Sequence, residues 1–342
     1  MHLLTFNNDY SEGAHPNVLA LLEKTNFDIL SGYGRDTLSL KTHERIRALV
    51  GAPDAQVHLL TGGTSANLIA LTAFMRPFEA AVCAVSAHIN GHETGALEAA
   101  GHKILTVPSV HGKPLPQDLR ALCALHTDEH VTRPRVLFIS NATELGTVYT
   151  RAELAALRAV CDECGLYLYM DGARIGSALA SGESDLSFTD LARYCDAFYI
   201  GGTKNGALLG EAMVLVNPAL LDGFRHVIKQ RGGMLAKGRL IAAQFAALLE
   251  GDIYMENARH ANRMADVLRE AFTDAGIPFL EKTTTNQIFP ILTNAQCAAL
   301  RENMAFQDQE RVDAERMAVR FVTSWATREE DVRAAAALIR AL

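Results

Sequence analysis

Two hydrophobic segments of strand length each lead into a charged residue beside glycine or alanine. Residues 167–170 lead into Asp171, and residues 197–200 lead, through two glycines and a threonine, into Lys204. A helix-length connection separates the two segments. In an open α/β sheet, ligands bind just beyond the carboxyl ends of the strands. We therefore expect Asp171 and Lys204 to meet at one ligand site.

A lysine and an acid at one site are what pyridoxal phosphate (PLP) requires. The lysine forms a Schiff base with the cofactor, and the acid keeps a proton on the pyridine nitrogen so that the ring accepts electrons. The other interpretation of Lys204 is a solvated surface lysine. Gly201, Gly202 and Gly206 surround it, and this favours the first interpretation because glycine lets backbone lie close to a ligand.

The composition indicates one large domain with a smaller one. The chain has 342 residues, of which 49% are hydrophobic, and can bury a large core. Its net charge of −7 comes from interspersed acids and bases without a basic stripe, which argues against a nucleic-acid partner. No apolar run has the length of a membrane span, and the first residues lack a signal-peptide pattern. The predicted location is the cytoplasm, away from membranes.

The six cysteines are spread along the chain and do not form a disulfide framework. Cys161 and Cys164 make a CxxC pair, but a structural zinc needs two more ligands at similar spacing, and the sequence offers none. The pair also closes an Ala/Leu-rich helical pattern, where small apolar residues are common. No metal site is predicted.

Helices and short apolar strands alternate through the first 250 residues. This pattern predicts an α/β domain with a mostly parallel sheet covered on both faces. An N-terminal arm with one helix, 17–25, occupies residues 1–36. The predicted strands are 56–60, 81–85, 103–107, 135–139, 166–170, 197–200 and 212–216. The predicted helices are 64–74, 93–100, 115–126, 151–164 and 235–249.

Beyond residue 250 the pattern changes to a smaller α+β unit. Apolar residues at helical spacing predict one long helix over 252–275. Strands at 287–291 and 317–322 and a terminal helix at 329–342 follow. The sequence thus predicts a large domain over 1–250 and a small C-terminal domain over 251–342.

The loop 62–65 (Gly-Gly-Thr-Ser) follows the first predicted strand and opens an apolar helix. Free N–H groups at a helix start, with the helix dipole and two hydroxyls, favour an anion. The alternative is ordinary N-capping by Thr64, and the loop alone does not decide between them. Because it precedes Asp171 and Lys204 in the chain, we interpret it as the seat of the cofactor phosphate. A nucleotide-binding loop would carry a lysine directly after it, and none is present.

His88 and His92 follow the strand predicted at 81–85. A histidine at a strand end can stack on a pyridine ring or relay protons, and His88, nearer to the strand, is the predicted one. His92 is interpreted as a loop histidine bonded to backbone. Arg174, three residues after Asp171, is either a site residue or a structural partner of a nearby carboxylate.

Several segments resemble the threonine aldolase and β-eliminating lyase family of fold-type-I PLP enzymes. The most specific are residues 141–149 (Asn-Ala-Thr-Glu-Leu-Gly-Thr-Val-Tyr), 170–174 (Met-Asp-Gly-Ala-Arg) and the segment around Lys204. Residues 231–239 are similar to the family's arginine–glycine segment, and the likeness extends from residues 8–13 to 319–325. The resemblance implies an aminotransferase-like fold, PLP as cofactor, and a homodimer or homotetramer whose site is shared between subunits.

The resemblance also implies roles for particular residues. Lys204 would be the Schiff-base lysine, Asp171 the partner of the pyridinium, and His88 the residue stacked on the ring. His130 resembles a histidine that contacts the substrate hydroxyl in threonine aldolases, with a neutral surface histidine as the alternative. The other implied contacts are to the phosphate, from Gly63, Thr64, Ser65 and a neighbouring subunit's counterpart of Arg231, and to the substrate carboxylate, from Arg174, Arg320 and Asn8.

Two segments depart from the family pattern. The common Ser-x-x-Lys is here Gly-Gly-Thr-Lys over residues 201–204, so a serine contact to the phosphate is absent or replaced by Thr203. An early Gly-Asp-Asp-Pro-like segment is here Gly-Arg-Asp-Thr over residues 34–37. Neither departure involves the Asp171 and Lys204 pair.

The expected function is cleavage of threonine, allo-threonine or a related β-hydroxy-α-amino acid to glycine and an aldehyde. The Cα–Cβ bond breaks if it stands perpendicular to the cofactor ring while a base removes the β-hydroxyl proton; His130, or water held by His88 or Glu93, is the candidate base. If the Cα–H bond is perpendicular instead, the same site would run β-elimination or transamination. A catalytically silent scaffold would not need Asp171, Lys204 and two arginines together. The stereochemical preference, the aldehyde side chain and the choice between dimer and tetramer stay open.

Overall fold

The computed structural model describes residues 3–342. Its strands are β1 Leu4–Thr5, β2 Gln56–Leu60, β3 Glu79–Ala84, β4 Lys103–Val107, β5 Ser109–Val110, β6 Lys113–Pro114, β7 Arg133–Ser140, β8 Tyr167–Asp171, β9 Ala197–Gly201, β10 Glu211–Leu215, β11 Gln287–Ile288, β12 Ile291–Thr293, β13 Met304–Ala305, β14 Gln307–Arg311 and β15 Arg316–Val322. Its helices are α1 Pro16–Lys24, α2 Thr37–Val50, α3 Gly63–Phe74, α4 His88–Gly91, α5 Ala96–Ala99, α6 Pro116–Leu125, α7 Arg151–Cys164, α8 Ile175–Leu179, α9 Phe188–Tyr194, α10 Phe224–Gln230, α11 Arg239–Leu248, α12 Ile253–Asp274, α13 Asn294–Arg301 and α14 Glu329–Arg340.

The central sheet has seven strands in the order β2-β10-β9-β8-β7-β3-β4. Strand β10 runs antiparallel to β2 and β9, whereas β4, β3, β7, β8 and β9 run parallel to one another. The predicted mostly parallel sheet is therefore confirmed. Strands β2 and β4 have the predicted bounds, and the others differ from prediction by one or two residues at an end.

Both faces of this sheet are buried. Leu137 and Phe198 pack into one apolar core, whereas their chain neighbours Phe138 and Tyr199 pack into another. Successive strand residues point to opposite faces, so one core lies on each face. Helices α2, α7 and α11 contribute to the first core, and α3 and α10 to the second. Strands buried on both faces are continuous apolar runs, which is why the sequence pattern detects them.

Helix α7 has its predicted bounds because both of its ends are marked in the sequence. At its start Thr150 and Glu153 form a capping box, in which Glu153 accepts from the Thr150 N–H at 2.8 Å and Thr150 Oγ accepts from the Glu153 N–H at 3.3 Å. At its end Gly165 is left-handed, with φ 67°. Cys161 and Cys164 lie in its last turn, as predicted, and both are free thiols.

Alternation of helices and strands does not by itself indicate that β10 is reversed. Residues 202–210 join β9 to β10 and contain only a 3₁₀ turn, Thr203–Asn205. Such a link is too short for the crossover that two parallel strands need. The reversal pairs Glu211, the first residue of β10, with Gly201, the last residue of β9. A carboxyl group at the start of a strand therefore reaches the edge where the parallel strands end.

The C-terminal residues form a four-stranded antiparallel sheet, in which β15 pairs with β11, β12 and β14. The strand predicted at 287–291 is wrong in extent: it is two strands, β11 and β12, because Pro290 between them has no N–H for the ladder. Phe272 of α12 and Phe321 of β15 share a core with Leu4 and Phe6 of the N-terminal arm. The domain boundary near residue 250 stays a prediction.

The helix predicted at 93–100 is wrong in its first half. The chain forms two single turns, α4 and α5, on either side of Thr94 and Gly95. These two residues have φ 53° and 69°, values in the left-handed region that interrupt an α-helix. No helix within residues 3–342 combines the length and the apolar character needed to cross a bilayer.

Candidate active site

A cavity of about 260 Å³ opens at the carboxyl edge of the central sheet. It is lined by segments that follow β2, β3, β7, β8 and β9 and by the first residue of β10. Asp171 and Lys204 both line it, together with Gly63, His88 and Arg174. The fold thus brings predicted residues from remote parts of the chain to one place.

Lys204 lies in the 3₁₀ turn between β9 and β10, at the wall of the cavity. Burial lowers the pKa of its amine from the ordinary value, and the charge of Arg174 lowers it further, while Asp9, Asp171 and Glu211 act in the opposite direction. The net lowering of the pKa makes the neutral amine easier to form than in an exposed lysine. This is the form that attacks a carbonyl carbon.

The turn that carries Lys204 is held by close backbone packing. A Cβ at Gly202 would lie 2.6 Å from the Gly210 carbonyl oxygen. The Glu211 carboxylate accepts from the Gly202 N–H at 2.9 Å and from the Thr203 hydroxyl at 2.8 Å. That hydroxyl in turn accepts from the Gly210 N–H at 3.0 Å. Glycine is therefore required here by neighbouring backbone rather than by a ligand.

Asp171, the last residue of β8, is buried and accepts three hydrogen bonds. Tyr199 Oη at 2.5 Å and the Ala173 N–H at 2.9 Å donate to Oδ1, and Asn67 Nδ2 donates to Oδ2 at 2.9 Å. These donors fix the orientation of the carboxylate. Oδ2, with one donor, keeps the capacity to accept from a protonated pyridine nitrogen.

One buried amide connects Asp171 to the histidine of the site. Asn67 Nδ2 donates both to Asp171 and to Glu93 Oε1, the latter at 2.8 Å, and Asn67 Oδ1 accepts from Tyr169 Oη at 3.0 Å. Glu93 Oε1 also pairs with His88 Nδ1 at 2.9 Å. A continuous hydrogen-bond network therefore runs from Asp171 through Asn67 and Glu93 to His88.

His88 begins the single turn α4 shortly after β3. Its hydrogen bond to Glu93 raises the pKa of His88; burial acts against this shift, and the charge of Asp171 supports it. The His88 N–H donates to Glu144 Oε1 at 2.9 Å, and the Ser140 hydroxyl donates to the same oxygen at 2.6 Å. With Nδ1 paired to Glu93, the Nε2 atom is the one left for proton transfer.

The loop 62–65 leads into α3, which begins at Gly63. Gly62 before it provides no side-chain cap, and Thr64 lies inside the first turn, so the N-capping alternative for Thr64 is wrong. Gly63 and Thr64 line the cavity, whereas Ser65 is not among its lining residues within 3–342. An uncapped helix start presents N–H groups and the positive end of the dipole to an anion.

Arg174 lies at the cavity and is paired with Asp9. Its Nε and Nη2 donate to the two Asp9 oxygens at 2.7 and 3.0 Å, and Asn286 Nδ2 donates to Asp9 at 2.9 Å. Burial acts to raise the pKa of Asp9, but the charge of Arg174, that of Lys204 and these hydrogen bonds outweigh it, and the pKa is lowered. The Nη1 group of Arg174 takes no part in this pair.

Arg320, on β15, is not among the lining residues of the cavity within 3–342, but it lies within range of the charges of Arg174 and Asp9. Its Nη2 donates to Gln307, and its Nε is buried without a partner among residues 3–342. Burial lowers the pKa of Arg320, and the charge of Arg174 lowers it further. The two guanidinium groups are therefore within electrostatic range of each other. Two guanidinium groups that feel each other's charge and keep unpaired N–H donors suit a carboxylate ligand.

Comparison with known proteins decides the family. Residues 28–295 match the sequence profile described as Beta-eliminating lyase. The chain belongs to the beta-eliminating lyase family. It is 34% identical over 341 residues to a low specificity L-threonine aldolase of Pseudomonas sp. (strain NCIMB 10558), which covers 98% of this chain and 97% of that one. The predicted family resemblance is confirmed.

Solved structures agree with this assignment. A threonine aldolase of Leishmania major superposes with a TM-score of 0.97 at 41% sequence identity, over 98% of both chains. An aspartate aminotransferase of Thermus thermophilus has a TM-score of 0.74 at 17% identity, over 99% of this chain and 92% of that one. This second likeness concerns the fold alone. It confirms the aminotransferase-like architecture, fold type I of the PLP enzymes, that the sequence predicts.

Three predicted residues lie apart from the cluster just described. Asn8 Oδ1 accepts from the N–H of Tyr10, two residues on, at 2.9 Å. The His130 side chain is 86% exposed and pairs with Asp128 at 3.3 Å. Arg231 is exposed at the end of α10. None of the three is among the lining residues of the cavity within 3–342, and their roles stay predictions.

Four polar residues of the site have no role predicted from the sequence: Asn67, Asp9 and Glu211, which are buried, and Glu144, which is half-buried. Asn67 is a buried polar residue in the otherwise apolar helix α3, and Glu211 opens the apolar strand β10. A polar side chain within a buried run needs a partner, so this signal was available. Asp9 and Glu144 lie within the segments that carry the family resemblance, but nothing in their spacing indicates a role.

The residues of the cavity fit PLP in three places. Lys204 supplies an amine with a lowered pKa, Asp171 a fixed carboxylate with room for one more donor, and the start of α3 free N–H groups for a phosphate. All three lie in one cavity.

Proposed function

We propose that this protein is a PLP-dependent lyase that cleaves threonine, allo-threonine or a related β-hydroxy-α-amino acid to glycine and an aldehyde. The observation that carries the proposal is the meeting of Lys204, Asp171 and the uncapped start of α3 in one cavity. Membership of the beta-eliminating lyase family and the likeness to L-threonine aldolases support the same reaction.

When bound, PLP supplies an electron sink for the electron pair of the Cα bond that breaks. Lys204 Nζ would hold the cofactor covalently, and Asp171 Oδ2 would accept a hydrogen bond from its pyridine nitrogen. The N–H groups of Gly63, Thr64 and Ser65 would bind its phosphate. These three attachments would orient the ring before the substrate arrives.

Arg174 and Arg320 would bind the substrate carboxylate. Arg174 is already held by Asp9, so little further side-chain freedom is lost when its Nη1 binds the ligand. Fixing the carboxylate fixes rotation about the Cα–N bond of the substrate and so decides which Cα bond is aligned for cleavage. Small displacements of this clamp are therefore costly to the rate. Asn8 would lie beside the same carboxylate.

His88 would take the β-hydroxyl proton, directly or through a water molecule. Its pairing with Glu93 orients the ring and stabilises the protonated form that results. His130 is the second candidate base; because it is exposed, it would have to approach the substrate from the rim of the cavity. Of the variants His88→Asn and His130→Asn, the one that removes the base lowers kcat by about 10²-fold or more.

The reaction is tested with purified, PLP-loaded protein and L-threonine or L-allo-threonine. Equimolar acetaldehyde and glycine are expected, and the ratio of the two rates gives the preference at Cβ. Ammonia with a keto acid, without acetaldehyde, would contradict the aldolase proposal and favour cleavage of the Cα–H bond. Lys204→Ala is expected to abolish borohydride trapping of the cofactor on the protein. Retained trapping would overturn the assignment of Lys204.

We further propose that two copies of the chain share the site. Phe27 is 91% exposed and Ile29 is fully exposed, and apolar surface of this kind marks an interface. Tyr33, in the same arm, donates its N–H to the Ala236 carbonyl at 3.0 Å, so the arm is continuous with the exposed segment that begins at Arg231. A second copy that covers this surface would bring its own arginine to a neighbouring phosphate.

The assembly is tested by light scattering of Ile29→Asp. The substitution is expected to give a monomer with weak cofactor binding. Leu125→Asp introduces the same charge at another exposed apolar residue, at the end of α6, and is expected to keep the assembly. A catalytically active wild-type monomer would contradict the shared site.

The six free thiols of the chain support the proposal that the protein works in the reducing cytoplasm.

A further inference from the structure

Glu211 is a buried carboxyl group of the cavity that the reaction outlined above does not use. As the first residue of β10 it pairs with Gly201 of β9 on one side and with Leu60 of β2 on the other. It therefore lies between the turn of Lys204 and the loop 62–65. Burial raises the pKa of Glu211 to about 7, against the lowering effects of its bonds to Thr203 and Gly202 and of the charge of Lys204.

Both oxygens of this carboxyl group are engaged by the two residues that precede Lys204. Oε2 accepts from the Gly202 N–H at 2.9 Å, and Oε1 accepts from the Thr203 hydroxyl at 2.8 Å. The first residue of β10 thus closes the turn that precedes this strand. Where the family commonly has Ser-x-x-Lys, the hydroxyl next to this lysine is committed to a carboxylate.

We propose that Glu211 is a positioning residue: its carboxylate fixes the turn that directs Lys204 into the cavity and places a negative charge near the Lys204 nitrogen. The inference rests on the proposed function, because it concerns the lysine that carries the cofactor.

The charged groups around Glu211 determine in which direction its charge changes the protonation of the Lys204 nitrogen. Lys204 faces it from the turn and Asp171 from β8, and the neutral hydroxyls of Tyr199 and Tyr254 lie nearby on β9 and α12. Above a pH of about 7 Glu211 is ionised and stabilises the protonated nitrogen. Without this charge, the nitrogen loses its proton at lower pH.

The test is a pH titration of the visible absorbance of the PLP-loaded protein, which reports protonation of the Lys204 nitrogen. In Glu211→Gln, which keeps the size of the side chain, we expect the midpoint to fall by about one pH unit. Thr203→Val keeps the charge of Glu211 but removes its hydroxyl partner, and is expected to leave the midpoint in place. Glu211→Asp, which draws the charge back, is expected to give a smaller fall, and replaces the glutamine variant if that one does not fold.

Three results would overturn the proposal. One is a Glu211→Gln midpoint equal to that of the wild type, including the case in which both stay protonated to the alkaline limit of the fold. Another is an equal shift in Thr203→Val, because the loss of any hydrogen bond in the turn would then move the midpoint, and the carboxylate of Glu211 would have no role of its own. The third is a wild-type protein with no cofactor on Lys204. That result would refute the proposed function as well, whereas the first two leave it intact.

Discussion

Asn67→Ala removes the amide that joins the two carboxylates of the site. The side chain is fully buried and makes two hydrogen bonds to acids, Glu93 and Asp171, and one with the Tyr169 hydroxyl. A hydrogen bond to a charged group contributes roughly 1.5–3 kcal/mol, and a buried hydroxyl left without a partner costs roughly 1–3 kcal/mol. Water that enters the vacated space restores part of this. We expect the free energy of unfolding to fall by about 3–5 kcal/mol.

The assay is urea unfolding of wild type and variant at one fixed protein concentration, with and without cofactor. Asn90→Ala is the matched control, because Asn90 is exposed and its side chain makes one hydrogen bond, to the Val85 carbonyl at 2.8 Å. Its expected loss is below about 1 kcal/mol. The difference between the two alanine variants in free energy of unfolding measures how much burial and the charged partners strengthen the hydrogen bonds of Asn67.

Asn67→Asp tests the electrostatic part of the same reasoning. The new acid lies against Glu93 and Asp171, so its pKa in the folded protein is raised above the unfolded value. Its favourable contacts are present at low pH and are lost as pH rises through the folded pKa, at up to about 1.4 kcal/mol per pH unit. The reasoning is refuted if Asn67→Ala costs no more than Asn90→Ala and the deficit of Asn67→Asp does not grow with pH.

Three further predictions concern activity with L-threonine. Arg320→Ala raises KM by about 30–150-fold, since charged hydrogen bonds of roughly 2–3 kcal/mol are lost. Arg316→Ala, exposed on the same strand, leaves KM unchanged, and equal KM values for the two variants would remove Arg320 from the clamp. Because Glu93 raises the pKa of His88, we expect the acid limb of the pH profile of kcat/KM to lie above about pH 6.5. Glu93→Gln is expected to move this limb to lower pH. If the limb stays in place, His88 is excluded as the base. Asp171→Asn keeps the cofactor on the lysine but lowers kcat by about 10³-fold, and a kcat near that of the wild type would contradict its role.

The convergence of Asp171 and Lys204 is predictable from sequence because both follow apolar strands, and strand ends mark the ligand edge of an α/β sheet. The uncapped loop before α3 is predictable for the same reason. What the pattern cannot supply is the pairing between elements. Asn67 meets Glu93 because α3 packs beside the loop after β3, and nothing in the spacing of the two residues encodes that contact.

The direction of β10 is a second case in which local signals are insufficient. An apolar run identifies a strand but not its orientation, and here the length of the link from β9 decides it. If β10 ran parallel to β9, Glu211 would lie at the opposite edge of the sheet from Lys204 and would have no partner at the site. The same holds for Arg320, whose position within range of the Arg174 charge depends on how the C-terminal strands pack against the rest of the chain.

The closed turn between β9 and β10 has a consequence for changing this enzyme. The turn bears Lys204 and is followed directly by Glu211, and both residues line the cavity. Its backbone is packed too closely at Gly202 to admit even a methyl group. An insertion or deletion there would displace the nucleophile and its neighbouring charge together. New substrate preferences are therefore better sought by side-chain substitutions elsewhere in the cavity, which leave the attachment point of the cofactor in place.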